Sequence, residues 1–157
     1  MSFSNGQNLV VQNPSFEGLP GAGITPAPWN ICMDFQTPDT QPGFWGVDLA
    51  PSDGNTYLGF VQQTNIAWQE GATQELLNET TSNPEPMVSG SSYSFTLDIA
   101  GFIAIDSFGS YSDNAEVLIY GGFMMCPQNE LLWNSGDTPN NEWITYVIDF
   151  IPSDNYT

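Results

Sequence analysis

Residues Tyr93-Ser94-Phe95-Thr96-Leu97-Asp98-Ile99 alternate strictly between apolar and polar side chains. A period of two is typical of a β-strand that buries one face and exposes the other. A second segment with a clear apolar face is Trp143–Ile151, where that face consists of Ile144, Tyr146, Ile148 and Phe150. Its opposite face is mixed. Both segments predict strands of a β-sandwich.

The rest of the 157-residue chain also predicts β-structure. Its 15 glycines and 12 prolines break it into short pieces, and no segment keeps a helical period over about three turns. Further strands are predicted at Asn8–Gln12, Tyr57–Gln62, Thr73–Leu77 and Glu116–Tyr120. Long polar loops are predicted at Gly18–Pro28, Thr37–Asn55, Asn78–Gly90 and Gly101–Asn114. The length suits one domain over residues 1–157.

The charge composition excludes several classes of partner and catalyst. The chain has no Lys, Arg or His against 18 Asp and Glu, a formal charge of −18. Nucleic acid and anionic lipid are recognised through basic side chains, so neither is expected as a partner. No apolar run approaches the roughly 18 residues of a membrane span. Catalysis that needs Lys or His is excluded, which leaves carboxylate-pair glycoside hydrolysis. Nothing singles out two acids among so many, so we predict that the chain is not an enzyme.

The same composition predicts a dependence on salt. Because no carboxylate can pair with a basic side chain, self-repulsion should make stability rise with ionic strength and with calcium.

Cys32 and Cys126 lie 94 positions apart. We predict a disulfide between them, and two buried free thiols are the alternative.

Short phrases spread over most of the chain resemble one family of β-sandwich domains. The phrases are Asn8-Leu9-Val10-Val11, Asn13-Pro14-Ser15-Phe16-Glu17, Pro28-Trp29-Asn30 with Cys32, Thr37-Pro38-Asp39, Trp45-Gly46, Pro51-Ser52-Asp53-Gly54-Asn55-Thr56-Tyr57-Leu58-Gly59, Tyr93-Ser94-Phe95, Tyr120-Gly121-Gly122, Cys126, Glu130-Leu131-Leu132 and Phe150-Ile151-Pro152-Ser153. As an ordered set they resemble the galactose-binding-like, carbohydrate-binding-module-like domains of secreted and cell-surface Bacteroidota proteins, including gliding- and type IX secretion-associated adhesins.

This resemblance implies a jelly-roll fold and a non-catalytic extracellular module of a longer protein. It also implies further strands after Tyr156, which agrees with Pro152–Thr157 being predicted as a turn that enters another strand. Relatives carry Arg or Lys near Val61–Thr64 and after Ala100, where this chain has glutamines and Gly101-Phe102. A ligand contact that depends on those cations is therefore not expected here.

Candidate binding residues are aromatic side chains outside the strong strand patterns. Sugars stack their apolar faces on such rings while polar side chains bind the hydroxyl groups. The candidates are Trp45, Trp68, Phe123 and Trp133, and Trp45 and Trp68 are preferred. The alternative is that these aromatics close the ends of the sandwich.

A structural calcium ion is also predicted. The resemblance places its ligands at Glu17 and Asp149. Asp149 lies among apolar residues, and an inward carboxylate without a partner would be costly there. A bound cation would resolve that cost, as would protonation or an outward-facing side chain.

Three functional hypotheses follow. The first is an extracellular or cell-surface module that binds a glycan or cell-surface polysaccharide. The second is a structural subunit of a surface fibre, in which a neighbouring domain or a donor strand pairs with an open sheet edge. The third is a phage virion accessory domain, because Met1–Asn5 shows none of the basic and apolar regions of a signal peptide.

Overall fold

The structure, a computed structural model, describes residues 7–32, 36–63, 68–102, 105–106, 109–110, 115–124, 126, 128–138 and 141–157. These residues form short β-strands and contain no helix, so the all-β prediction is confirmed. The strands are β1 Leu9–Val10, β2 Asn30–Ile31, β3 Asp39–Gln41, β4 Tyr57–Gly59, β5 Gln62–Gln63, β6 Trp68–Gln69, β7 Ala72–Thr73, β8 Leu77–Asn78, β9 Tyr93–Ile99, β10 Ile105–Asp106, β11 Gly109–Ser110, β12 Leu118–Gly121, β13 Glu130–Asn134 and β14 Ile144–Phe150.

The longest ladder joins the two segments with the clearest sequence pattern. β9 and β14 pair antiparallel over seven residues each, with Phe95 opposite Ile148 and Leu97 opposite Tyr146. The alternating apolar residues of β9 therefore share one face with Ile144, Tyr146, Ile148 and Phe150 of β14, and Tyr93 and Ile148 are buried on that face. Thr96 and Val147 are opposite one another on the other, exposed face. The predicted faces of both strands are confirmed.

All ladders are antiparallel. In chain order they form two nested sets, in which the two strands of an outer ladder come before and after the strands of the inner ladders. In the first set, the β1–β8 ladder encloses β2–β7, and within that lie β3–β4 and β5–β6. In the second, β9–β14 encloses β10–β11 and β12–β13. Among the described residues, no ladder joins one set to the other. Side-chain packing, a cross-link and hydrogen bonds outside the ladders, such as that from the Trp143 indole to the Ala50 carbonyl at 2.8 Å, therefore hold the two sets together.

The main core lies where these two sets meet. Its buried members are Leu9 of β1, Tyr93 of β9, Met87 and Tyr156. The chain bends at Ser153 and Asp154, where the sequence predicts a turn, and residues 151–157 form no strand. Instead, the carbonyl of Tyr156 accepts a hydrogen bond from the N–H of Met87 at 2.7 Å, and the Thr157 N–H donates to the Gly122 carbonyl at 3.0 Å.

Several predicted boundaries are wrong. The segment Thr73–Leu77 is split between β7 and β8, and Tyr57–Gln62 between β4 and β5. The predicted loop Thr37–Asn55 contains β3, whose three polar residues are buried. No helix in the part of the chain that the structure describes is long and apolar enough to cross a bilayer.

Candidate functional site

A closed loop over residues 41–47, here called the Trp45 loop, follows β3. The Gln41 side chain accepts a hydrogen bond from the Phe44 N–H at 3.0 Å and donates one to the Phe44 carbonyl at 3.3 Å. The Gly43 N–H donates to the Val47 carbonyl at 2.8 Å, and the Val47 N–H donates to the Phe44 carbonyl at 3.0 Å. Because Gln41 is 2% exposed, these bonds anchor the loop to the buried strand.

The loop presents one tryptophan to solvent. Trp45 has φ +58° and lies between Gly43 at φ +106° and Gly46 at φ +74°. A left-handed conformation is unfavourable for a bulky L-residue and persists only where the surroundings hold it. The side chain of Trp45 is 69% exposed. The sequence prediction of a surface aromatic in this loop agrees with that exposure.

A buried carboxylate lies behind the loop. Asp39 of β3 is 4% exposed, and its Oδ1 accepts a hydrogen bond from the Gly23 N–H at 2.7 Å. Burial raises the pKa of the Asp39 carboxyl, and the charge of Glu70 adds to the rise. Hydrogen bonds from the Gly23 N–H and from the Trp45 side chain lower that pKa. The Asp39 carboxyl is thus close to the Trp45 side chain, at the start of the loop.

Glu70 accepts hydrogen bonds from two segments near β3, one at Thr37 and one at Val61. Its carboxylate accepts hydrogen bonds from the Thr37 N–H at 3.0 Å, the Thr37 hydroxyl at 3.1 Å and the Val61 N–H at 2.8 Å. Next to it, the buried Gln36 donates to the Gln69 carbonyl at 2.8 Å and accepts from the Gly71 N–H at 3.2 Å. These bonds hold the segment that precedes β3 against residues 61 and 69–71.

The other predicted aromatic residues lie in different surroundings. Phe123 is 49% exposed and its ring centroid is 5.1 Å from that of Tyr156. Trp133 lies in β13, half-buried, and packs edge-on against Tyr146 at 5.5 Å. Trp68 begins β6, and its side chain lies outside the described residues. The ring contacts among the described side chains bring no two of Trp45, Phe123 and Trp133 together.

The two predicted calcium ligands have different environments. Both Glu17 oxygens accept hydrogen bonds, from the Asn55 N–H at 2.6 Å, the Asn55 side chain at 3.2 Å and the Thr56 N–H at 3.2 Å. Asp149 is exposed on the outer face of β14, opposite Ser94. Within the described ranges, no three Asp, Glu, Cys or His side chains group as a metal site. We therefore assign no calcium ligands, and calcium binding stays a prediction.

Replacing Glu17 with Gln should make the stability of the fold depend less on pH in the acidic range. The hydrogen bonds to Glu17, above all from the Asn55 N–H, lower the pKa of its carboxyl from 4.5. The ionised group thus stabilises the fold above that unfolded-state value, and its contribution is lost as pH falls through the lower folded-state pKa. The melting temperature of Glu17→Gln should lie below that of the wild type at neutral pH and converge with it on acidification. A constant difference at all pH values would contradict this assignment; the exposed Glu142→Gln is the control.

Cys32 and Cys126 form a disulfide in the structure, with their Cα atoms 5.0 Å apart. Cys32 follows β2 in the first nested set, and its N–H donates to the Gly71 carbonyl at 3.1 Å. Cys126 follows β12 in the second set. The disulfide is therefore a covalent link between the two sets of ladders.

Comparisons with protein-family models, with curated proteins and with solved structures found no match to this chain. What the chain could bind must therefore be argued from its own residues.

Sequence reasoning missed the residues that support Trp45. Asp39 and Gln41 fell inside a predicted polar loop, because Asp-Thr-Gln between two prolines shows no apolar alternation. The signal that could have found them is the pairing with β4, where Gln41 lies opposite Tyr57. That signal is long-range and does not show in a local window of sequence.

Proposed function

We propose that this domain is a non-catalytic, extracellular glycan-binding module of jelly-roll architecture, and that Trp45 is its main binding platform. The observation that carries the proposal is a 69% exposed tryptophan held in a closed loop. Nested antiparallel ladders and the one-sided burial of β9 and β14 support a sandwich.

The physical basis of binding is the fixed ring. An exposed aromatic surface of this size is unfavourable in water and gains from covering by the apolar face of a pyranose. Because Gln41 and the Gly43–Val47 hydrogen bonds hold the loop, little conformational entropy is lost when a ligand binds. The exposed Asp48, three residues after Trp45, is suited to accept hydrogen bonds from sugar hydroxyls.

The remaining candidates contribute differently to this proposal. Phe123 keeps half of its surface exposed and could form a second platform next to Met124, which is 77% exposed. Trp133 offers less ring surface, because it packs against Tyr146.

Trp45→Ala should reduce glycan affinity about tenfold or more, which is typical of the loss of an aromatic hot-spot residue. The experiment is a glycan array on the purified domain, run with calcium and with EDTA, followed by titration of the best sugar. The matched control is Leu19→Ala, which removes another apolar side chain, 81% exposed, outside the Trp45 loop.

Each result of that experiment bears on the proposal. Binding that fails in Trp45→Ala and survives in Leu19→Ala supports it. Loss of binding in EDTA would show that glycan binding also depends on calcium. If no glycan bound under either condition, or if both variants bound equally well, Trp45 would not be the binding platform.

The alternative function is a structural subunit of a surface fibre assembled by strand donation. One observation favours it, since the last strand and the residue after it expose apolar side chains. Val147 is 64% exposed and Ile151 60%. Concentration-dependent polymer formation with no glycan binding would favour this alternative.

A further inference from the structure

We infer that the Trp45 loop selects saccharides that carry protonated amino groups, and that it rejects anionic saccharides. This inference rests on the proposed function and names the ligand class of the same site. It follows from the exposed indole of Trp45 together with the net negative charge of the protein and the nearby residues Asp39 and Asp48.

The whole protein disfavours an anionic ligand. With no Lys, Arg or His, no side chain can pair with a carboxylate or sulfate group, and the net charge of −18 repels such a ligand during approach. Uronic acid and sulfated sugars therefore bind poorly. A cationic ligand gains from the same field, and an amino sugar is the saccharide that carries a positive charge.

The local arrangement adds a specific attraction. A cation over the face of a tryptophan is attracted by the ring quadrupole. The Asp39 carboxyl lies in the strand that leads into the loop, close enough to the Trp45 side chain for that side chain to lower its pKa. Asp48 is exposed three residues after Trp45. An ammonium group stacked on the ring would lie in a region of negative potential that contains no competing protein cation.

Asp48 is the side chain that can test the charge contribution without disturbing the fold. Asp39 is buried and supports β3, whereas Asp48 is exposed. Asp48→Asn removes one charge at nearly constant shape. Glu79→Gln makes the same change in charge at an exposed position in the turn after β8 and serves as the control.

The experiment compares a glucosamine hexasaccharide, its fully N-acetylated form and an oligogalacturonate by titration calorimetry. A pH of about 5.5 keeps the amines protonated and stays above the usual carboxylate pKa values near 4. We expect the glucosamine oligomer to bind several-fold tighter than the acetylated one, and the uronate not to bind. Asp48→Asn should reduce that preference about two- to fivefold, as for an exposed ion pair. Glu79→Gln should leave it unchanged, and Trp45→Ala should weaken binding of both the neutral and the cationic oligomer about tenfold or more.

The outcomes separate this inference from the proposed function. Binding of the acetylated oligomer or the uronate at least as tightly as the glucosamine oligomer would overturn the inference and leave glycan binding intact. The experiment also includes an oligolysine peptide, which tests for general attraction of cations. If it bound as tightly as the glucosamine oligomer and Trp45→Ala weakened neither, the attraction would be general charge attraction, and the inference would fail. Absence of binding to every oligosaccharide would overturn both.

Discussion

Tyr156→Ala should lower the free energy of unfolding by about 3–5 kcal/mol, the cost of removing a large aromatic side chain from a core. Tyr156 is 4% exposed and belongs to the buried cluster with Leu9, Met87 and Tyr93. Leu9 comes from the first nested set and Tyr93 from the second, whereas Met87 lies between the two sets and Tyr156 follows them. Urea denaturation followed by fluorescence measures the change.

Tyr156→Phe is the matched control for this prediction. It keeps the ring and removes only the hydroxyl, whose contact with the Ser153 hydroxyl is 3.4 Å long, so we expect a loss of about 1 kcal/mol or less. Gly121→Ala should also destabilise the protein, by about 1–3 kcal/mol, because the added Cβ would overlap the Tyr156 ring. If Tyr156→Ala cost no more than Tyr156→Phe, the ring would not be part of the folded core.

Loss of the disulfide should cost a similar amount. Cys32 and Cys126 are separated by 94 residues, and closing a loop of that length is worth about 4 kcal/mol in the chain-entropy model. The structure adds a reason to expect a large effect. The disulfide joins two nested sets of strands that share no ladder in the described part of the chain, so its loss would leave packing and isolated hydrogen bonds between them.

The double variant Cys32→Ser/Cys126→Ser measures this contribution by urea denaturation against the oxidised wild type. Reduced wild type should match the variant, and reductant should leave the variant unchanged. A difference below about 1 kcal/mol between variant and oxidised wild type would show that packing alone holds the two sets together.

The pattern of β9 and β14 could be predicted because each strand carries its own evidence. Alternation along Tyr93–Ile99 and Ile144–Phe150 reports which side chains face a core, whatever the partner strand is. The short strands were predicted poorly. β2, β3, β6 and β13 carry too few apolar residues, or too irregular an order of them, for a local period to emerge.

The candidate site was predicted only in its most visible residue. Trp45 stands out as an aromatic in a glycine-flanked loop, and the structure exposes it. Asp39 and Gln41 did not stand out, because polar residues between prolines are typical of a loop. Their burial depends on β4, which supplies the backbone partners, and on the Gly23 N–H, which binds Asp39.

The all-β class, the inward faces of the two long strands and the lack of Lys, Arg and His can be predicted from the sequence. These properties are local or compositional, and each can be read without knowing which segments meet. The burial of the polar strand β3, the position of Tyr156 in the core and the outward face of Asp149 became clear from the fold. Each of these depends on contacts between residues far apart in the chain, and the free energy of such contacts leaves no periodic trace in the sequence.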